Sequence, residues 1–496
     1  MSDPRILPPN RLVRALDKPA RDFTKRDLVR YIADNDIRML NFRYVAGDGR
    51  LKKLNFVING AAHLDRILTA GERVDGSSLF SFVSADSSDL YVVPRYRTAF
   101  VNPFTEVPTL DLICSFYDSH GEPLESAPEQ ILRKAQRTLS DRTGFAMEAL
   151  GELEYYLFSP ADRIYPIVEQ RGYHESHPFS KWGLVRREAM RVISEIGGMI
   201  KYGHAEVGNI LSGNWEMVQH EIEFLSVPIE EAADQLVMAK WALREVAYKH
   251  DLEVSFAPKI TVGHAGSGLH VHTRLVRDGV NAMADDRGLT DAAKRLIAGF
   301  ISSAESLSAF GNTVPTSFLR LVPHQEAPTR ICWGDRNRSV LVRVPLGWLG
   351  VGGRMLRDAN PGEPDGDISS VDHNQTVELR SPDGSANVHL LLAGMAVAAR
   401  YGLEHPDALQ ICERAYVRAD ASKVPDLHQL PASCAEAADR LLADRARYEE
   451  HGVFPAGLLD ALAASLKAYD DAGMSERLFG NAAGLEDLVR RHLHCG

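Results

Sequence analysis

The 496 residues predict an α+β fold in two unequal parts. Residues 1–122 break into short strand-like runs between turn formers, whereas residues 123–496 alternate strands and helices irregularly and end in amphipathic helix. Four strand-like runs of the larger part carry ionisable residues at period two, a pattern that fits a sheet curved around a polar cavity.

After a proline-broken arm, Thr24–Asn35 reads as a short helix with Thr24 as its N-cap. Strand-like runs follow at Ile37–Val45, Leu51–Ile58, Leu90–Val93, Ala99–Val101 and Leu110–Tyr117, the first two joined by a Gly-Asp-Gly turn. Asp75-Gly76-Ser77-Ser78 is a turn headed by a carboxylate. Composition shifts at H-G-E-P-L-E-S-A-P-E, which sets the domain boundary near residue 122. Just beyond it, Ser126 and Glu129 have capping-box spacing, and Ile131, Leu132, Ala135 and Leu139 form a helical stripe. The clearest helix is Glu230–His250, with Ala232, Leu236, Ala239, Leu243 and Val246 on one side.

A formal charge of −11 makes a nucleic-acid-binding surface an unexpected partner site, and anionic substrates would need local arginines. The five cysteines are scattered without a C-x-x-C pair, which fits a reducing compartment and neither a disulfide scaffold nor a zinc cluster. The first residues lack the order of a signal peptide, and the longest apolar run, Leu390–Ala399, is too short to span a bilayer. A cytoplasmic protein with no membrane partner is the expectation.

Chemistry concentrates in the four period-two runs. Glu152 and Glu154 share a face opposite Leu153 and Tyr155; His270 and His272 share one opposite Leu269 and Val271. Glu221 pairs with Glu223 and Glu378 with Arg380 in the same way. Each run alone reads equally well as a half-exposed sheet whose polar face meets water. Together they place carboxylates close enough to repel unless cations neutralise them, and several Glu with His suit Mg²⁺ or Mn²⁺. Arg320, Arg330, Arg336, Arg338 and Arg343 crowd one segment, and Arg343 within the apolar run Val340–Val344 needs an anionic partner. Two metals flanked by arginines are equipment for phosphoryl transfer from a nucleotide, and with no Walker-type loop present they would hold the phosphates.

On D-G-S-S, G-E-L-E-Y-Y-L-F, H-A-E-V-G, Q-H-E-I-E-F, A-G-S-G-L-H-V-H, R-L-V-P-H-Q-E-A-P, N-R-S-V-L-V-R-V-P and V-E-L-R-S-P-D, the chain resembles glutamine synthetase of the bacterial type I kind over nearly its whole length. The resemblance implies a β-grasp domain over 1–122 and, over 123–496, a catalytic domain with a curved antiparallel half-barrel sheet flanked by helices. It implies a homo-oligomer of two stacked rings of six, with each site shared between neighbours. One metal would be held by Glu154, Glu206 and Glu221, the other by Glu152, His270 and Glu378. Arg320, Arg380, Gly266 and the backbone of Ala265 would hold glutamate; His272, Arg338 and Arg343 would hold ATP, with Arg338 also steadying the transferred phosphoryl group. Glu326 on a flap, Asp75 from the adjacent subunit and Tyr173 would serve ammonium. The implied reaction joins ammonia to the γ-carboxylate of glutamate through γ-glutamyl phosphate.

Two departures fall at the amino-acid end. Residues 208–218 insert extra length between Glu206 and Glu221, which loosens the register of Glu206 and makes Glu216 a competitor. Ala265 stands where the family has asparagine. Two other readings stay open: a γ-glutamyl ligase acting on an organic amine, with Ile210, Leu211 and Trp215 of the insertion as an apolar lining, and a catalytically silent assembly protein.

Overall fold

The structure, a computed structural model, describes residues 8–84, 88–322, 327–347, 352–362 and 374–496. Its smaller sheet runs in the order Leu51–Val57, Met39–Val45, Thr109–Tyr117, Asp89–Pro94, Glu72–Asp75, with Phe100–Val101 also paired to Thr109–Tyr117. Met39–Val45 and Thr109–Tyr117 are parallel neighbours at its centre. Helix Ala61–Ala70 packs Leu64, Ile67 and Leu68 into the core of this β-grasp domain. The helix and the strand Glu72–Asp75 escape the sequence reading: Gly60 offers the helix no side-chain cap, and E-R-V-D has only one apolar residue.

Local chemistry explains the helix starts. Thr24 caps Lys25–Asp34 in a capping box closed by Asp27. The box expected from Ser126 and Glu129 does not form. Pro128 takes the first turn behind Ala127, and the buried Glu129 carboxylate instead accepts the Phe116 N–H at 2.9 Å, tying the helix to the β-grasp sheet. Burial pushes Glu129 above the usual carboxylate range.

The larger sheet is curved and runs Trp333–Asp335, Val342–Val344, Val377–Leu379, Leu269–Arg277, Ala146–Pro160, Trp215–Phe224, Ile200–Ser212. Every junction along it is antiparallel except the first. Helices Pro128–Thr143, Ile229–Lys249, Asp291–Ser302 and Val388–Glu404 join the same core, fed by Leu153, Val271, Val342 and Leu379 of the sheet. The run Leu390–Ala399 is buried all round within Val388–Glu404. Gly299 and Gly402 let that helix meet Asp291–Ser302 backbone to backbone; a Cβ on either would lie 2.1 Å from a carbonyl of the other helix. Among the described residues no helix is long and apolar enough to cross a membrane.

One buried ion pair joins the two domains. Arg95 of the smaller domain donates to both oxygens of Asp234 on Ile229–Lys249 at 2.7 and 2.9 Å, and His389 lies 3.3 Å from the same carboxylate. Burial works against the Asp234 charge, but Arg95 and His389 outweigh it and hold the group well below its ordinary range. Removing one partner strands a buried charge. Arg95→Ala is therefore expected to cost about 3–5 kcal/mol in denaturant unfolding. The double change Arg95→Met with Asp234→Leu should recover most of that loss.

Candidate active site

Strand register turns the period-two pattern into rows. His270, Glu152, Glu223 and Tyr202 sit opposite one another across four strands; so do Glu154, Glu221 and His204, and likewise Arg343, Glu378 and His272. The rows share the concave face and line a cavity of about 680 Å³. Glu378 lies beneath, fully buried.

The charges are paired unevenly. Glu152 faces His270 Nδ1 at 2.9 Å and His272 Nε2 at 3.0 Å. Burial opposes its charge, yet the two imidazoles hold it well below the ordinary range. Glu378 accepts from Arg343 at 2.9 Å and Arg380 at 2.6 Å, so the arginine inside the apolar strand has its anionic partner within the sheet. Glu154 accepts the Gly268 N–H and the Gln219 amide at 2.8 and 3.0 Å. Glu221 has His204 Nε2 at 3.1 Å, yet burial and then repulsion from Glu152, Glu154 and Glu206 push it well above the usual range. Glu223 is 2% exposed; Lys201 donates to its Oε1 at 2.6 Å, while its Oε2 has no hydrogen-bond partner. The open oxygen of Glu223 and the crowding of carboxylates around Glu221 are what a divalent cation would satisfy, so the donor set fits one.

Three groups of ligand atoms gather within 4.8 Å: Glu152, His272 and Glu378; His204, Glu206 and Glu221; Glu152, Glu221 and Glu223. They draw on four of the expected six, Glu152, Glu206, Glu221 and Glu378, leave out Glu154 and His270, and add His204, His272 and Glu223. Period two within E-I-E marked Glu223 as sharing a face with Glu221, and the same spacing in H-A-E is the signal that could have found His204 beside Glu206. Glu206 sits in a β-bulge where the register with Trp215–Phe224 shifts between Ala205 and Asn209. Glu216 points to the opposite face and bonds Ser159 and the Asp162 N–H, which removes it as a competitor.

Arg320 is 2% exposed and lines the cavity. It donates to the carbonyls of Ser381, Pro382 and Arg380 and to His270, and among the described residues no carboxylate lies within ion-pair distance of it. Gly266 lines the cavity beside it, and Lys201, Arg274, Arg338, Arg343 and Arg380 are the further cations of the lining. Ala265 lies next to Gly266, its carbonyl accepting from the Tyr156 hydroxyl at 2.8 Å. Tyr173 stacks on His174 at 4.2 Å, and His174 meets His204 at 4.3 Å, forming an aromatic wall beside Glu206. Leu150, Met199, Leu225, Pro345 and Leu346 make the opposite end apolar.

Two expected residues are not gathered here. Asp75 belongs to the other domain and does not line its own chain's cavity; Glu326 lies outside the described residues. The 208–218 insertion is no loop at all but the tip of a hairpin, Ile200–Ser212 turning into Trp215–Phe224. Ile210 is buried with Tyr156, Met217 and Val489, while Leu211 and Trp215 are exposed.

Comparison with known proteins gives one family. The glutamine synthetase catalytic-domain profile matches residues 125–467, and the glutamine synthetase β-grasp profile matches residues 36–119. Glutamine synthetase of Staphylococcus epidermidis is 30% identical over 396 residues, covering 78% of this chain and 81% of that protein. Glutamine synthetase of Staphylococcus aureus gives the same figures. Among solved structures, Plasmodium falciparum glutamine synthetase superposes with a TM-score of 0.75 at 18% identity, covering 91% of this chain and 97% of that one. An ADP complex of GmaS gives 0.73 at 20% identity, with 90% and 96% covered.

Divalent cations should stabilise the folded chain in the absence of any substrate. At 100 times the dissociation constant, Mn²⁺ is expected to add about 2.7 kcal/mol, read as a rise in melting temperature. Glu152→Gln should lose most of that rise while keeping the metal-free melting temperature within a few degrees.

Proposed function

The chain belongs to the glutamine synthetase family, and on that premise we propose that it joins ammonia to the γ-carboxylate of glutamate at the expense of ATP. The observation that carries the glutamate half is Arg320: a buried guanidinium without a carboxylate partner among the described residues, beside Gly266 in a carboxylate-rich cavity. An amino acid's α-carboxylate is the anion that would complete it.

The residues divide the work. The apolar end at Met199, Leu225 and Leu346 suits a purine, with His272 beside it. Arg338 and Arg343 line the cavity and would hold the phosphates and the phosphoryl group in transit. Glu154, Glu206 and Glu221, with Glu152, His270 and Glu378, would hold divalent cations, which when bound supply the positive charge that offsets ATP and the attacking carboxylate. Arg320, Arg380, Gly266 and the backbone of Ala265 orient glutamate so that its γ-carboxylate attacks the γ-phosphorus of ATP, giving γ-glutamyl phosphate and releasing ADP. Ammonium is drawn to Tyr173 and to Asp75 from a neighbouring subunit. Glu326 takes its proton, leaving ammonia as the nucleophile. Attack on the acyl carbon releases phosphate and gives glutamine.

A shared site accounts for Asp75. Its carboxylate accepts from the Ser77 N–H and from the Ser77 and Ser78 hydroxyls at 3.0, 2.7 and 2.6 Å, and the serines lower its pKa to about 2. A permanently charged, pre-oriented carboxylate on the smaller domain is suited to serve the next protomer of a ring, and two stacked rings of six are the assembly we propose.

One feature favours an organic amine as the second reading. The wall of Tyr173, His174, His204 and Tyr202 offers π faces beside Glu206 and Glu221, a setting that also suits an alkylammonium. The fold likeness to both solved proteins carries no preference between these acceptors.

Phosphate release with glutamate, ATP and Mg²⁺ decides between them. Ammonium at equal concentration should outpace a panel of primary alkylamines; the reverse order hands the assignment to the second reading. Glu152→Ala and His270→Ala should each abolish turnover with either acceptor. Mixing inactive Asp75→Ala subunits with inactive Glu378→Ala subunits should restore part of the activity once exchange is confirmed, and no recovery would count against a shared site.

A further inference from the structure

Residues 170–174 lie against the bulge that carries Glu206. The Gln170 N–H donates to the Asn209 carbonyl, that of Gly172 to Val207 and that of His174 to Ala205, at 3.1, 3.2 and 2.9 Å. These bonds take up carbonyls released where pairing of Ile200–Ser212 with Trp215–Phe224 breaks register. The approach is close: a Cβ on Gly172 would lie 2.3 Å from the Glu206 carbonyl.

The loop carrying Ala265 and Gly266 is fixed through its backbone. The Ala265 carbonyl accepts from Tyr156, the Gly266 carbonyl from Gln219 at 2.9 Å, the Ser267 N–H donates to Pro258, and the Gly268 N–H to Glu154. One tie comes from outside the curved sheet. The Ala265 N–H donates to Gln170 Oε1 at 2.8 Å, while Gln170 Nε2 donates to the Asn209 carbonyl at 3.1 Å. The two ends of one side-chain amide thus join the Gly266 loop to the Glu206 bulge. Gln170 makes this bridge from a left-handed backbone, φ +54°, a conformation that is uncommon for a residue with a Cβ.

We propose that Gln170 is a positioning residue that sets the glutamate-binding loop against the metal- and amine-binding bulge. The proposal rests on the reading of the cavity as a glutamate site. Gln170 is not among the residues lining the cavity; it fixes the spacing between Gly266 and Glu206, two elements far apart in the chain that both line it and adjoin one another. A ligand spanning both senses that spacing, whereas the nucleotide at the apolar end does not.

Gln170→Met keeps the length and removes both bonds. In the full-length protein its glutamate KM should rise about five- to tenfold, as the loss of one or two hydrogen bonds predicts, with the ATP KM unchanged. Hydrogen exchange should quicken in peptides spanning 264–268 and 205–209 and stay as in the wild type elsewhere. Gln170→Glu retains an acceptor for Ala265 and loses only the side-chain donor to Asn209, whose carbonyl keeps the Gln170 backbone N–H, so protection should return fully over 264–268 and only in part over 205–209. An unchanged glutamate KM, an equal rise in the ATP KM, or uniform loss of protection would overturn the proposal. Should the wild type not use glutamate, the functional reading falls, and the exchange pattern still judges whether Gln170 couples the two elements.

Discussion

The structure depends on a cluster of buried carboxylates brought together on the concave face of one sheet, close enough to repel one another. Glu152 has two imidazoles and Glu378 two arginines, so both stay ionised. Glu223 has Lys201 on one oxygen only and Glu221 a single imidazole, and Glu221 is pushed above its usual range by burial and by its carboxylate neighbours. Repulsion among these carboxylates is what a bound cation would relieve. It also explains the arginine border, since the anionic substrates such a site would otherwise repel need guanidinium partners at its edges.

Rigidity around the cavity comes from apolar packing on the convex side and polar fastening on the concave side. Leu153, Val271, Val342 and Leu379 fix the strands against helices, and the alternation of the strands then leaves the charged residues no other direction to point. The Arg95–Asp234–His389 network extends that rigidity into the β-grasp domain. The smaller domain, which carries the Asp75 turn, is thereby tied to helix Ile229–Lys249 of the larger one.

The insertion after Glu206 shows how added length can be absorbed without loss of register. Instead of forming a lid, residues 208–218 prolong two strands, and the misfit is confined to one bulge. Gly208 sits there because a Cβ would fall 2.0 Å from the Tyr156 hydroxyl that supports Ala265. The absence of a side chain at that position and the small one at Ala265 belong to the same crowded corner, which Gln170 closes.

By itself the sequence determined the class of the fold, the strand faces and the chemistry. Period two put Glu152 with Glu154, His270 with His272 and Glu221 with Glu223, because alternation in a strand is set by backbone geometry alone. Helix Ile229–Lys249 and the Thr24 cap were legible for the same local reason. Tertiary structure decided what local rules do not contain. Which strand lies beside which placed His204 and His272 among the ligand atoms and turned Glu216 away. Burial converted Glu129 from a helix cap into a tie between domains, since its carboxylate found the Phe116 N–H closer than its own helix end. The bridge through Gln170 joins residues 95 apart in the chain, and no sequence spacing announces it. Such contacts arise only when the sheet has curved and brought distant backbone groups to hydrogen-bond distance.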